Sequence, residues 1–300
     1  MASSSFDPKR KVSGLQAPIM ELTGHAGDIF AVRFDPTGRN IASGSMDRTV
    51  ILWRIYEAIT GLEIIFTASA DSLLASWNVD TKTRIRRYVR HEDIVNVMDI
   101  TRRGSEMIVS GNHDRTIGIW EPSQKPSVDY LETNFPVTAV AVSDAGNELF
   151  TKGIDNDIKV WDLRKRALVY IFRGHQDTIT SLSVSPDGQS LLSNSMDKSV
   201  RILDIRAFAP TNRLSHTFAE GVNVGFEKNL FRASWSPQGD KVAAGSGDRT
   251  VPILDVEPKK MLYKLPGHRG SVIDVRFSPT EPINCVGLYG QNNSIGEIAK

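Results

Sequence analysis

The sequence predicts an all-β fold of seven similar units, and a repeated motif is the main reason. The motif consists of small polar residues, an Asp in a tight turn, a strand of alternating apolar residues and often a Trp six residues after the Asp. Asp71, Asp114, Asp155 and Asp197 follow one another at intervals of 43, 41 and 42 residues. That period is the length of a four-stranded antiparallel blade with its turns, so we predict a seven-bladed β-propeller.

Alternation at period two indicates strands rather than helices. In the segments 29–34 and 178–184, apolar and polar residues alternate, and turns rich in Pro, Gly and Asp bound both segments. A single blade cannot bury both of its faces, so the blades must stack around a ring. We expect residues 15–22 to supply an outer strand beside residues 294–298 and so to close the ring.

The repeats occupy residues 15–300, which we interpret as one domain preceded by a flexible tail at residues 1–14. The second repeat is short, because Asp71 follows Asp47 by 24 residues, about 18 fewer than the usual period. Either the chain has a truncated second blade, or residues near 54–66 are missing from the numbered sequence. We favour the second explanation. The long spacing between Asp197 and Asp248 predicts an inserted loop near residues 208–226.

Gly-His pairs upstream of several motifs complete the pattern. They occur at Gly24-His25, Gly174-His175 and Gly267-His268, with Arg90-His91 as a variant. Together with the turn Asp and the Trp, these pairs resemble the WD-repeat family of β-propellers. In that family the His, a strand hydroxyl, the turn Asp and the Trp form a buried hydrogen-bonded tetrad. The resemblance implies this structural role for His25, Ser43 (or Ser45), Asp47, Trp53, Asp71, Trp77, His91, Asp114, Trp120, Asp155, Trp161, His175, Asp197, Asp248 and His268.

Recurrence of these groups once per blade favours a role in stability over one in catalysis, because groups spread around a ring do not converge on one site. The pattern is incomplete in places. Leu203 and Leu254 stand where Trp is expected, Gly290 replaces the last Asp, and the fourth and sixth repeats lack Gly-His. We expect those blades to depend more on apolar packing.

Composition excludes several classes of protein. The 36 basic and 35 acidic residues give a net charge of +1, which provides no electrostatic case for nucleic-acid binding over the whole surface. Cys285 is the single cysteine, which excludes an intramolecular disulfide and a cysteine-based zinc site and fits a reducing compartment. No apolar run approaches the roughly 20 residues of a membrane-spanning helix, so we expect no membrane partner.

Catalytic motifs are missing from the sequence. It has no Gly-x-Ser-x-Gly elbow, no phosphate-binding loop and no His-Glu-x-x-His helix. We therefore predict no enzyme activity, no catalytic, cofactor-binding or metal-binding residues, no cofactor and no small-molecule substrate. Basic groups at 84–87, 102–103 and 164–166 could contact RNA phosphates, but they lack the aromatic residues on which single-stranded bases stack.

Five segments outside the general repeat pattern narrow the resemblance. They are residues 15–20, 153–164, 226–230, 264–268 and 296–298. With them, residues 15–299 resemble the small WD-repeat subunits of the U5 small nuclear ribonucleoprotein. The resemblance implies a non-catalytic scaffolding subunit of the spliceosome in the nucleus, which binds the large U5 scaffold protein and other spliceosomal proteins, with minor RNA backbone contacts at most.

A second function remains open, that of a WD-repeat adaptor presenting a peptide or substrate to an enzyme such as a ubiquitin ligase or a chromatin modifier. β-Propellers serve both roles, so the fold alone cannot decide. We favour the scaffold, since an adaptor of the ligase kind usually carries a recruiting domain and we expect none here. Projecting loops often determine binding specificity. The candidates for partner contact, in and after the predicted insertion, are Phe208, Phe226, Phe231 and Arg232.

Overall fold

A computed structural model describes residues 19–55, 64–101, 106–122, 129–144, 146–209, 212–219, 222–225, 229–289 and 292–297. These residues form 26 β-strands, and none of the described elements is a helix that could cross a membrane. The strands are β1 (Ile19–Thr23), β2 (Ile29–Phe34), β3 (Asn40–Ser45), β4 (Val50–Arg54), β5 (Ile64–Ala68), β6 (Leu73–Asn78), β7 (Thr83–Val89), β8 (Val95–Ile100), β9 (Ile108–Asn112), β10 (Thr116–Trp120), β11 (Asp129–Glu132), β12 (Ala139–Val142), β13 (Glu148–Lys152), β14 (Ile158–Asp162), β15 (Ala167–Phe172), β16 (Ile179–Val184), β17 (Ser190–Ser195), β18 (Val200–Asp204), β19 (Leu214–Phe218), β20 (Ala233–Trp235), β21 (Lys241–Ala244), β22 (Val251–Asp255), β23 (Lys260–Leu265), β24 (Val272–Phe277), β25 (Ile283–Leu288) and β26 (Asn292–Glu297).

The described strands form seven antiparallel sheets arranged as a β-propeller. In chain order the first sheet is β2–β3–β4, the second β5–β6–β7, the third β8–β9–β10–β11 and the fourth β12–β13–β14–β15. The fifth is β16–β17–β18–β19, the sixth β20–β21–β22–β23, and the seventh joins β24–β25–β26 to β1. Within the described residues, five sheets have four strands and two have three.

Six of the sheets have an inner strand that contacts the inner strand of a neighbouring sheet. These contacts run from β2 to β24, β20, β16, β12 and β8 in turn. The second sheet lacks such a strand. Its Asp71 turn joins β5 to β6 as the Asp47 turn joins β3 to β4, so β5 is equivalent to a middle strand. The described part of the chain therefore has six blades with an inner strand, and the predicted seven-bladed ring is wrong.

The second sheet lacks an inner strand because the chain between β4 and β5 is short. The first sheet lacks the outer strand of a complete blade and the second sheet lacks the inner strand, within the described residues. The numbering is continuous through this part of the 300-residue sequence. The 300-residue sequence and the described sheets therefore agree in having a shortened second repeat. Residues 56–63, like the proposed tail at 1–14, lie outside the described residues.

The N-terminal strand pairs with the last strand of the chain, as predicted. β1 runs antiparallel to β26, with Ile19 opposite Gly296 and Thr23 opposite Asn292. Met20 and Leu22 on β1 pack against the buried cluster that contains Ile283. The two ends of the described chain are thus held in one sheet, which covers the outer edge of β26.

The hydrophobic core lies between neighbouring sheets rather than at one centre. Six buried clusters each join two sheets, from the second and third around to the seventh and first. Phe150 and Leu191, for example, belong to the cluster between the fourth and fifth sheets. None of these six clusters joins the first sheet to the second, so that junction differs from the others.

Candidate functional site

Most turn aspartates of the described chain stabilise their own turns through a hydrogen bond to the backbone two residues later. Asp47 Oδ1 accepts the backbone N–H of Thr49 at 2.9 Å, and the intervening Arg48 has a φ of 67°. A short side-chain acceptor that captures the N–H two residues later stabilises a tight turn of this kind. It leaves Oδ2 of Asp47 free to bind elsewhere. A residue with positive φ also follows the other turn aspartates of the described chain: Ser72, Arg115, Asn156, Lys198 and Arg249.

Two sheets contain all four members of the expected tetrad within hydrogen-bonding distance. His25 Nδ1 lies 2.9 Å from Asp47 Oδ2, and His25 Nε2 lies 2.8 Å from Ser43 Oγ. Trp53 Nε1 donates to Ser43 Oγ at 2.7 Å. Ser45 Oγ donates instead to Gly27 O, so Ser43 holds the hydroxyl position. The third sheet repeats the arrangement with His91, Ser110, Asp114 and Trp120.

Burial favours the neutral form of two tetrad imidazoles, His91 and His175. It lowers the pKa of His91 and of His175, and the neighbouring aspartates oppose this shift only in part. Burial also disfavours the ionised form of Asp197, but hydrogen bonds from His175 and Ser199 outweigh it and hold the pKa of that carboxyl well below its usual range. A neutral imidazole between an ionised carboxylate and a hydroxyl satisfies all three buried groups.

The fifth and second sheets have partial tetrads. His175 lies 2.8 Å from both Asp197 Oδ2 and Ser193 Oγ, and Leu203 occupies the Trp position as a buried core residue. In the second sheet, Asp71 is exposed and Trp77 Nε1 donates to Thr67 Oγ1 at 2.9 Å. The shortened repeat has removed the segment that would have supplied a His to this sheet.

Lysine side chains take the place of the missing imidazoles in the fourth and sixth sheets. Lys159 Nζ lies 2.7 Å from Asp155 Oδ2, and Lys264 Nζ lies 3.1 Å from Asp248 Oδ2. Trp161 Nε1 still donates to Thr151 Oγ1 at 2.7 Å. The sequence predicted that these blades depend more on apolar packing than on the tetrad. The repeat pattern gave no signal for the lysines, since they come from the third or the fourth strand rather than from a Gly-His position.

The seventh sheet departs furthest from the pattern. Burial lowers the pKa of His268, as it does for His91 and His175. Gly290, which stands where the turn Asp is expected, lies outside the described residues. Across the described chain, no group of three or more His, Cys, Asp or Glu side chains could hold a metal ion.

The residues predicted to contact a partner differ in how exposed their side chains are. Phe208 is fully exposed. Phe231 is 2% exposed, and its carbonyl oxygen accepts hydrogen bonds from Thr180 Oγ1 at 2.6 Å and Asn194 Nδ2 at 3.0 Å. Arg232 Nη1 lies 3.7 Å from the buried carboxylate of Asp274. The prediction that Phe231 faces a partner is therefore wrong, because its side chain is buried at the junction between sheets, whereas the side chain of Arg232 is 19% exposed. Phe226 lies outside the described residues.

The basic groups considered for RNA contact are partly used within the protein. Arg86 Nη1 donates to Pro122 O at 2.7 Å, and Arg166 forms an ion pair with Asp129. Arg84 lies over the ring of Trp77, 5.9 Å from its centroid. Residues 102–103 lie outside the described residues.

A further exposed surface lies between the first and second sheets, and we call it the open sector. On β4 the side chains of Val50 and Leu52 are 46% and 39% exposed. On the second sheet Trp77, Ile85 and Val89 are exposed as well. The opposite face of the first sheet packs against the seventh sheet, and the opposite face of the second sheet packs against the third. The open sector thus exposes apolar side chains that adjacent strands bury in the complete blades, and sequence analysis identified only the short repeat behind it.

Comparison with known proteins gives a consistent result. The model of the family described as "WD domain, G-beta repeat" matches residues 16–54 and 166–204. The U5 small nuclear ribonucleoprotein 40 kDa protein of Dictyostelium discoideum is 42% identical over 308 residues, covering 96% of this chain and 86% of that protein. The Homo sapiens protein of the same name is 40% identical over 307 residues, with the same shares. The pre-mRNA-splicing factor cwf17 of Schizosaccharomyces pombe is 39% identical over 293 residues, covering 91% of this chain and 86% of that protein.

The length of these alignments supports a shortened repeat. The alignment with the Dictyostelium protein runs over 308 residues, more than the 300 of this chain, so that protein has residues without a counterpart here. Since 96% of this chain is about 288 residues, the difference is about 20, close to the length missing between Asp47 and Asp71.

Proposed function

We propose, from the premise that this chain belongs to the family of WD-repeat proteins that includes the U5 small nuclear ribonucleoprotein 40 kDa proteins, that it is a scaffolding subunit of the spliceosome in pre-mRNA splicing. The observation that carries this proposal is the similarity, at about 40% identity over nearly the whole chain, to relatives named for the U5 particle and for pre-mRNA splicing. The proposed partners are a large U5 scaffold protein and other spliceosomal proteins, and the proposed location is the nucleus.

The described structure supports a binding role without catalysis. The residues that could have formed a catalytic site are distributed one set per sheet, and each set is hydrogen-bonded within its own sheet. The imidazoles of His25, His91 and His175 are buried and hydrogen-bonded to side chains of their own sheets, so none of the three is placed to exchange a proton with a substrate. A net charge of +1 favours protein over bare nucleic acid as the main partner.

Phe208 is the proposed anchor for the partner. Exposed aromatic side chains are common energetic centres of protein interfaces, and this one is fully exposed in the described structure. It lies between β18 and β19, at the outer part of the fifth sheet. A Phe208→Ala substitution removes this side chain without opening the core.

Affinity purification of the tagged protein from nuclear extract, followed by mass spectrometry, tests the proposed role. We expect U5 proteins to be recovered, with recovery reduced by Phe208→Ala. Phe135→Ala is the matched control, because Phe135 is 43% exposed and lies in the loop between the third and fourth sheets. Recovery of ubiquitin-ligase or chromatin-modifying subunits instead of U5 proteins would support the adaptor. Recovery of U5 proteins undiminished by Phe208→Ala would place the docking surface elsewhere and leave the role intact.

A further inference from the structure

Three arginines surround one buried carboxylate where the first, sixth and seventh sheets meet. Asp274 Oδ2 lies 2.9 Å from Arg33 Nη1 and 3.7 Å from Arg232 Nη1. Asp274 Oδ1 lies 3.1 Å from Arg276 Nε. The side chain of Asp274 is fully buried, whereas those of Arg33, Arg232 and Arg276 are 46%, 19% and 18% exposed. We call these three side chains the arginine cluster.

The arginine cluster lies at the centre of the ring. Arg33 is on β2 and Arg276 on β24, the inner strands of their sheets, and Arg232 directly precedes the inner strand β20. Arg276 also interacts electrostatically with Asp99 on β8, the inner strand of the third sheet. Inner strands of several sheets thus contribute charged side chains to the space that they surround, which we call the central channel.

Positive charge exceeds negative charge at this place. Three guanidinium groups face Asp274, and Asp99 adds a second, more distant carboxylate. Asp274 Oδ2 already accepts hydrogen bonds from Arg33 Nη1 and, at 3.1 Å, from the backbone N–H of Val32. Among the described residues, three arginines and two acidic side chains at this place leave one positive charge uncompensated.

Hydrogen-bonding capacity is unbalanced in the same direction. Each guanidinium carries five N–H donors, about fifteen in the cluster, whereas one carboxylate accepts about four hydrogen bonds. Arg276 Nε and Asp274 Oδ1 are buried and have no hydrogen-bond partner, since their contact is not aligned for a hydrogen bond. Burial, followed by the nearby charge of Arg33, lowers the pKa of Arg276 to about 9. The cluster thus has more N–H donors than its own carboxylate can accept.

We propose that the central channel binds an oxyanion, held by Arg33, Arg232 and Arg276. The planar guanidinium group matches the geometry of carboxylate and phosphate oxygens and binds them through paired hydrogen bonds. The partner that fits is an acidic side chain of a protein segment entering the channel, and inorganic phosphate offers the same oxygen chemistry. Arg33 is the most exposed of the three, at 46%, and this exposure gives an entering group access to the cluster.

Calorimetric titration of the full-length protein with two probes at constant ionic strength tests this site. The probes are inorganic phosphate and a capped tetraglutamate peptide; their controls are sodium chloride, whose anion has no oxygen acceptors, and an uncharged capped tetraglutamine peptide. We expect saturable binding of phosphate, of tetraglutamate or of both, and the pattern identifies which source of oxyanion the site prefers. Binding of neither probe beyond its counterpart would overturn the proposal.

Substitution of the most exposed arginine locates the binding. Arg33→Gln should weaken binding about tenfold, the equivalent of one charge-assisted hydrogen bond of about 1.4 kcal/mol. Arg33→Lys keeps the charge and should weaken binding less. Arg206→Gln is the control, because Arg206 pairs with Asp204 on the exposed side of the fifth sheet, and it should leave binding unchanged. Equal affinity of Arg33→Gln and the unmodified protein would contradict the assignment.

A measurement on the unmodified protein covers the case in which Arg33→Gln does not fold. Hydrogen exchange with and without phosphate, at constant ionic strength, should show slower exchange for backbone amides of β2 and β24 and no change for β18. Equal protection of all three strands would show that phosphate acts on the whole protein, and unchanged exchange in β2 and β24 would show that it does not bind there. Either result would overturn the proposal.

Discussion

The Nδ1 atom of His175 lies 2.8 Å from Oδ2 of Asp197, although 22 residues separate the two side chains. His175 precedes the inner strand of the fifth sheet, and Asp197 lies in the turn between its two middle strands. The contact therefore ties the entry of the sheet to its central turn. The carboxylate also accepts the backbone N–H of Gln176, so both partners are fixed by more than one bond.

Loss of this carboxylate should destabilise the fold. Asp197→Ala leaves the imidazole of His175 and the hydroxyl of Ser199 without an acceptor in a buried place, which costs about 1–3 kcal/mol of unfolding free energy. Urea denaturation measures the change. Asp71→Ala is the matched control, because Asp71 is an exposed turn aspartate with no His partner in the described structure, and its loss should have a smaller effect. Asp47→Ala should change stability in the same direction as Asp197→Ala. Equal effects at Asp71 and Asp197 would show that the His contact contributes nothing.

Acid should destabilise the protein in two steps. Folding lowers the pKa of His91 and His175 below the ordinary value of 6.5, so the unfolded chain binds more protons just below that pH and stability falls as the pH drops through it. Folding also lowers the pKa of Asp197 below the ordinary 3.8, so a second loss begins near that pH. Urea midpoints measured from about pH 7.5 to pH 3 test the sign. Stability that rises on going from pH 7.5 to pH 5.5 would contradict this account.

The N-terminal strand should stabilise the ring measurably. Deletion of residues 1–23 removes β1, exposes the edge of β26 and uncovers the cluster around Ile283. We expect the melting temperature to fall by several degrees, which corresponds to about 2–4 kcal/mol. Deletion of residues 1–14 alone is the control and should leave the melting temperature unchanged. An unaltered melting curve for the longer deletion would show that β1 does not close the ring.

The open sector predicts that equivalent side chains on two sheets differ in their contribution to stability. Leu52 on β4 is 39% exposed, whereas Ile202 holds the equivalent position on β18 and is 3% exposed. Ile202→Ala should cost about 2–5 kcal/mol because it creates a cavity, and Leu52→Ala should cost about 1 kcal/mol or less. Thermal and urea unfolding measure both. Equal losses would show that a further segment of the chain covers Leu52.

Sequence analysis could predict the structural features that recur in each repeat. The spacing of the turn aspartates predicted strands and sheets, and the Gly-His pairs predicted which side chains meet at His25 and His175. These contacts lie within one sheet, so each motif contains the residues that form them. The closing strand β1 was predictable for a related reason, since a strand left over at the start of the chain must pair with the end.

Contacts between sheets were not predictable in the same way. Phe231 and Arg232 follow a predicted insertion, and nothing in the motif shows that they lie against the fifth and seventh sheets. The arginine cluster combines residues 33, 232, 274 and 276, which are brought together only when the ring forms. The pairing of Lys159 and Lys264 with turn aspartates, in place of a His, was not predicted. A lysine at a strand position is typical of an exposed surface and gives no sign of such a contact.

Sedimentation of nuclear extract is the most direct test of the central claim that this chain is a subunit of the U5 particle. The tagged protein is expressed at its normal level, extract is separated on a glycerol gradient, and each fraction is probed for the protein and for U5 RNA. We predict that most of the protein sediments with U5 RNA and moves to the position of the free 33.2 kDa chain when high salt dissociates the particle. Sedimentation as a free chain under mild salt, or with a complex that lacks U5 RNA, would contradict the account.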